Sequence, residues 1–270
     1  LSERVDGRFQ PARGFTWDSP VTWLGVQRDG TLWAIAQGVG LVRGREGVIS
    51  AVSVPELVLR QGSLVVDPAD RVWVTGVGGL VRFAGPTTTR WTVADGLRSN
   101  EPKVIVVGPD GSAWFGSADS GGLSRFDGQR FSHWTTDDGL THPSVFSLGL
   151  DAKGLVWVGS ARGVDRFDGV TFRNWSRREG YPSAESNGPG FWRDEDGTLW
   201  FSTAEGLAHY EPTRDGPLER APPVSLRRRT WARAGESRTG APEIRAGRAV
   251  PRPRRRACRD ARARAAGRPG

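Results

Sequence analysis

The sequence predicts an all-β fold, a β-propeller of about five four-stranded blades with a disordered basic tail, and three observations carry that prediction. Tryptophans recur at Trp33, Trp73, Trp114, Trp157 and Trp200, separated by 40, 41, 43 and 43 residues, which is the spacing of propeller blades. Each is followed by a glycine-aliphatic pair: Gly40-Leu41, Gly79-Leu80, Gly122-Leu123, Gly163-Val164 and Gly206-Leu207. A basic-aromatic pair then follows at Arg82-Phe83, Arg125-Phe126, Arg166-Phe167 and His209-Tyr210, with Arg43-Gly44 as the degenerate member. A four-stranded sheet of about 40 residues cannot bury both faces alone, and radial stacking on neighbours solves this.

The unit is clearest from Gly108 to Leu140. Asp110-Gly111 and Asp127-Gly128 supply the positive backbone dihedrals of two-residue hairpins, and short apolar strands lie between the turns. Residues 1–10 contain VDGRFQ, which matches the later FDGQRF and FDGVTF, so an orphan strand from the end of a blade is expected there. Five units follow at about 20–58, 61–95, 102–137, 144–179 and 187–212, the last stopping after its third strand at Tyr210. Two arrangements fit: a five-bladed ring in which the strand at Phe9 completes the last blade, or an arc of a larger propeller. The arc is favoured. Leu24, Leu64, Ile105, Leu148 and Phe191 hold one equivalent place in the first strands, and the five aligned tryptophans are expected to pack between blades.

From Arg214 the composition turns to Arg, Ala, Gly and Pro. Residues 1–213 hold 21 Lys and Arg against 25 Asp and Glu, whereas 214–270 hold 17 against 5, so the formal net charge of +8 belongs to the tail. A charge-based nucleic-acid role would rest on a segment too poor in apolar residues to collapse. Nucleic acid is therefore not an expected partner, and residues 213–270 are expected to be disordered, with an out-of-frame reading of a GC-rich gene as the blander account. The single Cys258 excludes an intrachain disulfide and a cysteine-built zinc site. No apolar run has the length of a membrane span, and no signal peptide is evident. With no methionine, the chain is expected to be a piece of a longer polypeptide.

The composite pattern D-x-x-G-x-x-W-x-G-(S/T)-x-x-G-(L/V)-x-R-(F/Y)-D-G, seen as DAKGLVWVGSARGVDRFDG at 151–169, resembles the two-component regulator propeller repeat. Asp95-Gly96-Leu97 and Asp138-Gly139-Leu140 agree with it, and the resemblance spans about 1–212. It implies the extracytoplasmic, periplasmic sensor region of a bacterial histidine kinase or hybrid regulator, in which the propeller is followed by a β-sandwich that Pro222–Leu226 resembles in its opening. It further implies an input domain and not an enzyme, with an oligosaccharide as ligand, the kinase module lying outside this chain, and any homodimer formed through the parent protein. The segment GPDGSAWFGS also resembles the blade motif of streptogramin lyases, which implies a catalytic His; His142 alone has the right placement. A protein-interaction scaffold is the third alternative.

Strand alternation places the strand 1–2 and 3–4 turns on one face and the 2–3 and blade-to-blade loops on the other. The first set is minimal Asp-Gly hairpins; the second is longer, at 98–101, 118–121, 137–144, 161–162 and 179–187. Loops on a rigid scaffold are where recognition groups gather, so the candidate ligand-binding residues are Asn100, Glu101, Asp138, His142, Arg162, Tyr181, Glu185 and Asn187. Carboxylates, amides and an aromatic ring suit hydrogen bonding and stacking with a sugar. The bland reading is a set of solvated loop residues. Arg82, Arg125 and Arg166 are expected to pair with nearby carboxylates. Asp194 and Asp196 are expected to form a hairpin turn in place of a calcium loop, since the remaining ligands of such a loop are missing. The three histidines lie at different blade positions and imply no metal site. No cofactor is expected.

Overall fold

The computed structural model describes residues 2–5, 8–11, 19–60, 62–117, 119, 121–183 and 185–211, for 2–11, 187 and 189 as backbone alone. The expected disordered tail therefore lies outside the described residues. A hairpin of β1 (Ser2–Val5) and β2 (Arg8–Pro11) comes first, followed by four antiparallel four-stranded sheets. Blade 1 is β3 (Val21–Val26), β4 (Leu32–Ala36), β5 (Gly40–Arg45) and β6 (Val48–Ala51). Blade 2 is β7 (Leu64–Val66), β8 (Val72–Gly76), β9 (Gly79–Ala84) and β10 (Thr87–Trp91). Blade 3 is β11 (Pro102–Val107), β12 (Ala113–Ser117), β13 (Leu123–Phe126) and β14 (Phe131–Trp134). Blade 4 is β15 (Ser147–Leu150), β16 (Val156–Ser160), β17 (Gly163–Phe167) and β18 (Phe172–Trp175). Blade 5 has three strands, β19 (Ser186–Arg193), β20 (Leu199–Thr203) and β21 (Gly206–Tyr210). The fold is the expected β-propeller.

The hairpin bears on the disfavoured of the two arrangements. Arg8–Pro11, which carries Phe9, pairs with Ser2–Val5 and does not complete blade 5. The strand around Phe9 is thus half of a two-stranded unit among the described residues.

The hydrophobic core is divided into four wedges, one between each pair of successive blades. The face of each blade that bears its strand-2 tryptophan turns toward the next blade. Trp33 meets Phe83, Trp73 meets Phe126, Trp114 meets Phe167, and Trp157 meets Tyr210, with ring centroids 4.9–6.3 Å apart. Trp33, Trp73 and Trp157 are buried, while Trp114 and Trp200 are half-buried. The inner strands of blades 1, 3, 4 and 5 line one central cavity of about 480 Å³, so the sheets fan about a common centre.

Two devices fix the repeat. Trp73, Trp157 and Trp200 each donate the indole N–H to the aspartate six residues earlier, at 2.7, 3.1 and 2.7 Å; Trp33 uses Gln27 at 2.7 Å. Asp67 and Asp151 also accept backbone N–H groups of the turn, Asp67 from Ala69 and Arg71 and Asp151 from Lys153 and Leu155. Burial opposes the Asp67 carboxylate, but the Trp73 and Arg71 donors outweigh it and hold its pKa below the ordinary value. The second device is Gly163, at φ +97°, where a Cβ would lie 2.2 Å from the Trp175 carbonyl oxygen. Gly79 and Gly122 meet the carbonyls of Trp91 and Trp134 in the same way.

The expectation for the recurring arginines is corrected. Arg43, Arg82, Arg125 and Arg166 sit directly across from the strand-2 tryptophan of their blade, with the guanidinium 5.2–5.9 Å from that ring. Arg82 and Arg166 also cover Trp91 and Trp175 of strand 4. Arg125 does approach Asp110, at 3.3 Å, but the shared partner is the indole face, which attracts a cation through its quadrupole.

Candidate functional site

Each blade-to-blade loop after a complete tryptophan strand begins with the same cap. Thr92, Thr135 and Ser176 accept from the backbone of a short 3-10 turn, and Asp95, Asp138 and Glu179 return a carboxylate to the capping residue's N–H. A left-handed glycine ends each turn, and the next residue, Leu97, Leu140 or Tyr181, is buried in the wedge between blades. The loops are then tied to the 2–3 turns. Gly78 N–H donates to Asn100 C=O at 2.8 Å, Gly122 N–H to Pro143 C=O at 2.9 Å, and Ala204 N–H to Glu185 C=O at 3.4 Å.

This geometry sorts the sequence-predicted residues. Tyr181 is not on the binding face: it is 5% exposed, fills the place of Leu97 and Leu140, and bonds Ser186 Oγ through its hydroxyl at 2.8 Å. Burial pushes its pKa up to about 12, against the pull of the Ser186 hydrogen bond. Asp138 is a cap, accepting from Thr135 N–H at 2.8 Å and Thr135 Oγ1 at 3.1 Å. Asn100 accepts Val93 N–H on Oδ1 at 2.8 Å and so holds its own loop. Asn187 lies within β19, since the preceding loop ends at Glu185. Arg162 and Glu185 are exposed, with Ser160 and Ser183 hydroxyls accepting their backbone N–H groups. His142 is half-buried, accepts Ser144 N–H on Nδ1 at 3.1 Å, and has Phe146 6.5 Å away.

Glu101 is the residue that the structure places in a cavity. That cavity, about 560 Å³, is lined by Gln37, Arg60, Gly76, Val77, Glu101, Pro102 and Lys103, and so joins the 2–3 turns of blades 1 and 2 to the loops that follow blades 1 and 2. Its polar groups are one carboxylate, one carboxamide and two cations. The Lys103 ammonium also lies 5.8 Å from the Phe146 ring, which links the cavity to the neighbourhood of His142. Sequence reading missed Gln37, Arg60, Lys103 and Phe146. Lys103 and Phe146 sit at strand starts, and Gln37 and Arg60 belong to blade 1 and its following loop, where the repeat is most degenerate. The Asp194–Asp196 segment is a turn, with Asp196 accepting Thr198 N–H and Asp194 accepting the indoles of Trp192 and Trp200.

A second unforeseen feature is Asp165, fully buried on β17 and bonded to Thr141 Oγ1 at 2.6 Å and Asn174 Nδ2 at 3.0 Å. Burial pushes its pKa up, and the Thr141 and Asn174 donors only partly offset that. Thr141 precedes His142, so this carboxylate holds the base of the His142 loop.

No family model matches the chain, and no curated protein is similar to it in sequence. Solved structures share its fold. The extracellular domain of BT3049 from B. thetaiotaomicron, described as part of a hybrid two-component system, superposes with a TM-score of 0.61 at 20% identity over 76% of this chain. This chain spans 28% of that protein's length. Virginiamycin B lyase from Staphylococcus aureus gives 0.58 at 16% identity over 74% of this chain and 73% of the lyase. A gluconolactonase from Xanthomonas campestris gives 0.51 at 17% identity over 72% and 73%. At such identities the likeness shows the fold. Among the described residues no helix is long and apolar enough to cross a membrane.

Proposed function

We propose that this chain is a ligand-sensing propeller, the extracytoplasmic input region of a bacterial two-component sensor, which binds a small polar ligand such as an oligosaccharide and passes its occupancy to a kinase module elsewhere. The observation that carries this reading is the cavity on the loop-rich face, where Glu101, Gln37, Arg60 and Lys103 converge from three loops and one strand. Convergent polar groups on a concave, preformed surface suit hydroxyl-rich ligands, and the adjoining Phe146 offers a ring face. The propeller domain of BT3049 supports the sensor assignment by fold. The test is an oligosaccharide array probed with the full chain, followed by titration calorimetry of any hit. A Glu101→Gln, Lys103→Ala variant should bind about tenfold or more weakly, since a lost hydrogen bond to a charged group is worth about 1.5–3 kcal/mol. Binding that survives both substitutions overturns the reading; a stable protein partner with no glycan hit favours a scaffold.

Enzymatic use of the same face is the second reading. His142 favours it: its ring is fixed by Ser144 N–H, and it follows Thr141, whose hydroxyl donates to the Asp165 carboxylate at 2.6 Å. Ring opening of a cyclic depsipeptide, lost in His142→Ala, would establish it.

A further inference from the structure

The cavity that holds Glu101 carries more positive than negative charge. Among the described residues, Arg60 and Lys103 line it as cations, Glu101 is its single carboxylate, and Gln37 is neutral. No ion pair joins either cation to a carboxylate of the described residues. Glu56 lies in the same loop as Arg60, but it is committed to Arg90. The Lys103 ammonium rests 5.8 Å from the Phe146 ring, a contact that positions a cation without neutralising it. The backbone presenting these groups is held in place. Ser99 Oγ accepts the Glu101 N–H at 2.9 Å and donates to Asp119 Oδ2 at 2.6 Å, Pro102 is buried, and Thr75 Oγ1 donates to the Lys103 C=O at 3.4 Å.

We infer, resting on the sensing role proposed above, that the oligosaccharide taken here is acidic: a uronic-acid sugar whose carboxylate is held by Arg60 and Lys103 while its hydroxyls donate to Glu101. Donor and acceptor complementarity favours this class. Arg and Lys side chains only donate, and an ionised carboxylate only accepts. Glu101 in turn needs donors, which sugar hydroxyls supply. A neutral sugar filling the cavity would strip water from two cations against one compensating carboxylate, and an unbalanced charge taken out of water is costly. A sugar with one carboxylate brings the cavity to neutrality, and its hydrogen bonds to guanidinium and ammonium are charge-assisted.

Calorimetric titration of the full chain with oligogalacturonate, oligoglucuronate and oligomannuronate, each beside its carboxyl-reduced neutral counterpart, tests this. At least one acid should bind about tenfold or more tightly than its neutral counterpart, and added salt should narrow the difference. Arg60→Gln and Lys103→Gln should each weaken binding of that acid about tenfold and leave the neutral sugar nearly unaffected. Glu101→Gln should shift the ratio the other way, toward the acid, because it removes the one negative charge of the cavity. Arg60 and Glu101 are exposed, so neither change threatens the fold, and unchanged urea midpoints check this. Neutral sugars that bind as tightly as the acids, or an acid preference that survives both cation substitutions, overturn the inference and leave the sensing role standing. A chain that binds no sugar of either kind overturns both.

Discussion

Blades 4 and 5 are built from nearly the same instructions and end in different physical states. Both have the aspartate-to-indole hydrogen bond, Asp151 to Trp157 and Asp194 to Trp200, and both pair the tryptophan across to a basic side chain, Arg166 or His209. In blade 4 the indole is sealed between Trp175 of its own sheet and the Phe201 and Tyr210 rings of the next. In blade 5, among the described residues, neither an outer strand nor a following sheet arrives, and Trp200 stays half-buried with His209 5.2 Å away. The repeat motif therefore encodes a sheet, while burial of its tryptophan is supplied by the neighbour.

Truncating the tryptophan should give the largest contrast. Trp157→Ala empties a wedge that is fully packed and should cost about 3–5 kcal/mol; Trp200→Ala should cost less than half of that, measured as the shift in urea midpoint. Equal costs would mean that blade 5 is covered after all. The glycines come next. Ala at Gly206, with φ +131° and nothing within 4 Å of the added Cβ, should cost about 1 kcal/mol of backbone strain, and Ala at Gly163 about 3 kcal/mol because its Cβ also meets the Trp175 carbonyl.

The smallest effect is a pH dependence confined to blade 4, where Asp165 occupies the position that blade 5 fills with Ala208. The Asp165 pKa is raised in the folded protein, so the native state holds this proton more tightly than the unfolded chain. Stability from this group is accordingly lost as pH rises from the ordinary carboxyl value through the raised one, the opposite of the trend for Asp67. Asp165→Asn should gain on the wild-type chain at neutral pH and converge with it in acid, read from urea midpoints at several pH values. A wild-type advantage that grows toward neutral pH would show that the Thr141 and Asn174 hydrogen bonds outweigh burial.

Much of the candidate site was less legible than the fold. Asp138 and Tyr181 lay in the predicted loops but serve the scaffold, one as a cap and one as a plug. The signal that would have separated them is in the sequence: Thr92-x-x-Asp95-Gly-Leu97, Thr135-x-x-Asp138-Gly-Leu140 and Ser176-x-x-Glu179-Gly-Tyr181 are one motif, and a residue that recurs in register serves the scaffold first. Glu101 falls outside that motif. Its cavity partners Arg60 and Lys103 carry no repeat signal, because they meet only when blades 1, 2 and 3 stack.

What the sequence by itself determined is the unit: strand, turn and glycine positions follow from local backbone preference, and a period of about forty residues multiplies them into blades. Only the tertiary structure decided which tryptophans are sealed, which arginines stack, where Phe9 pairs and which polar side chains share a cavity. The physical reason is that dihedral preferences act over a few residues, whereas burial and cavity shape depend on surfaces brought together from different blades.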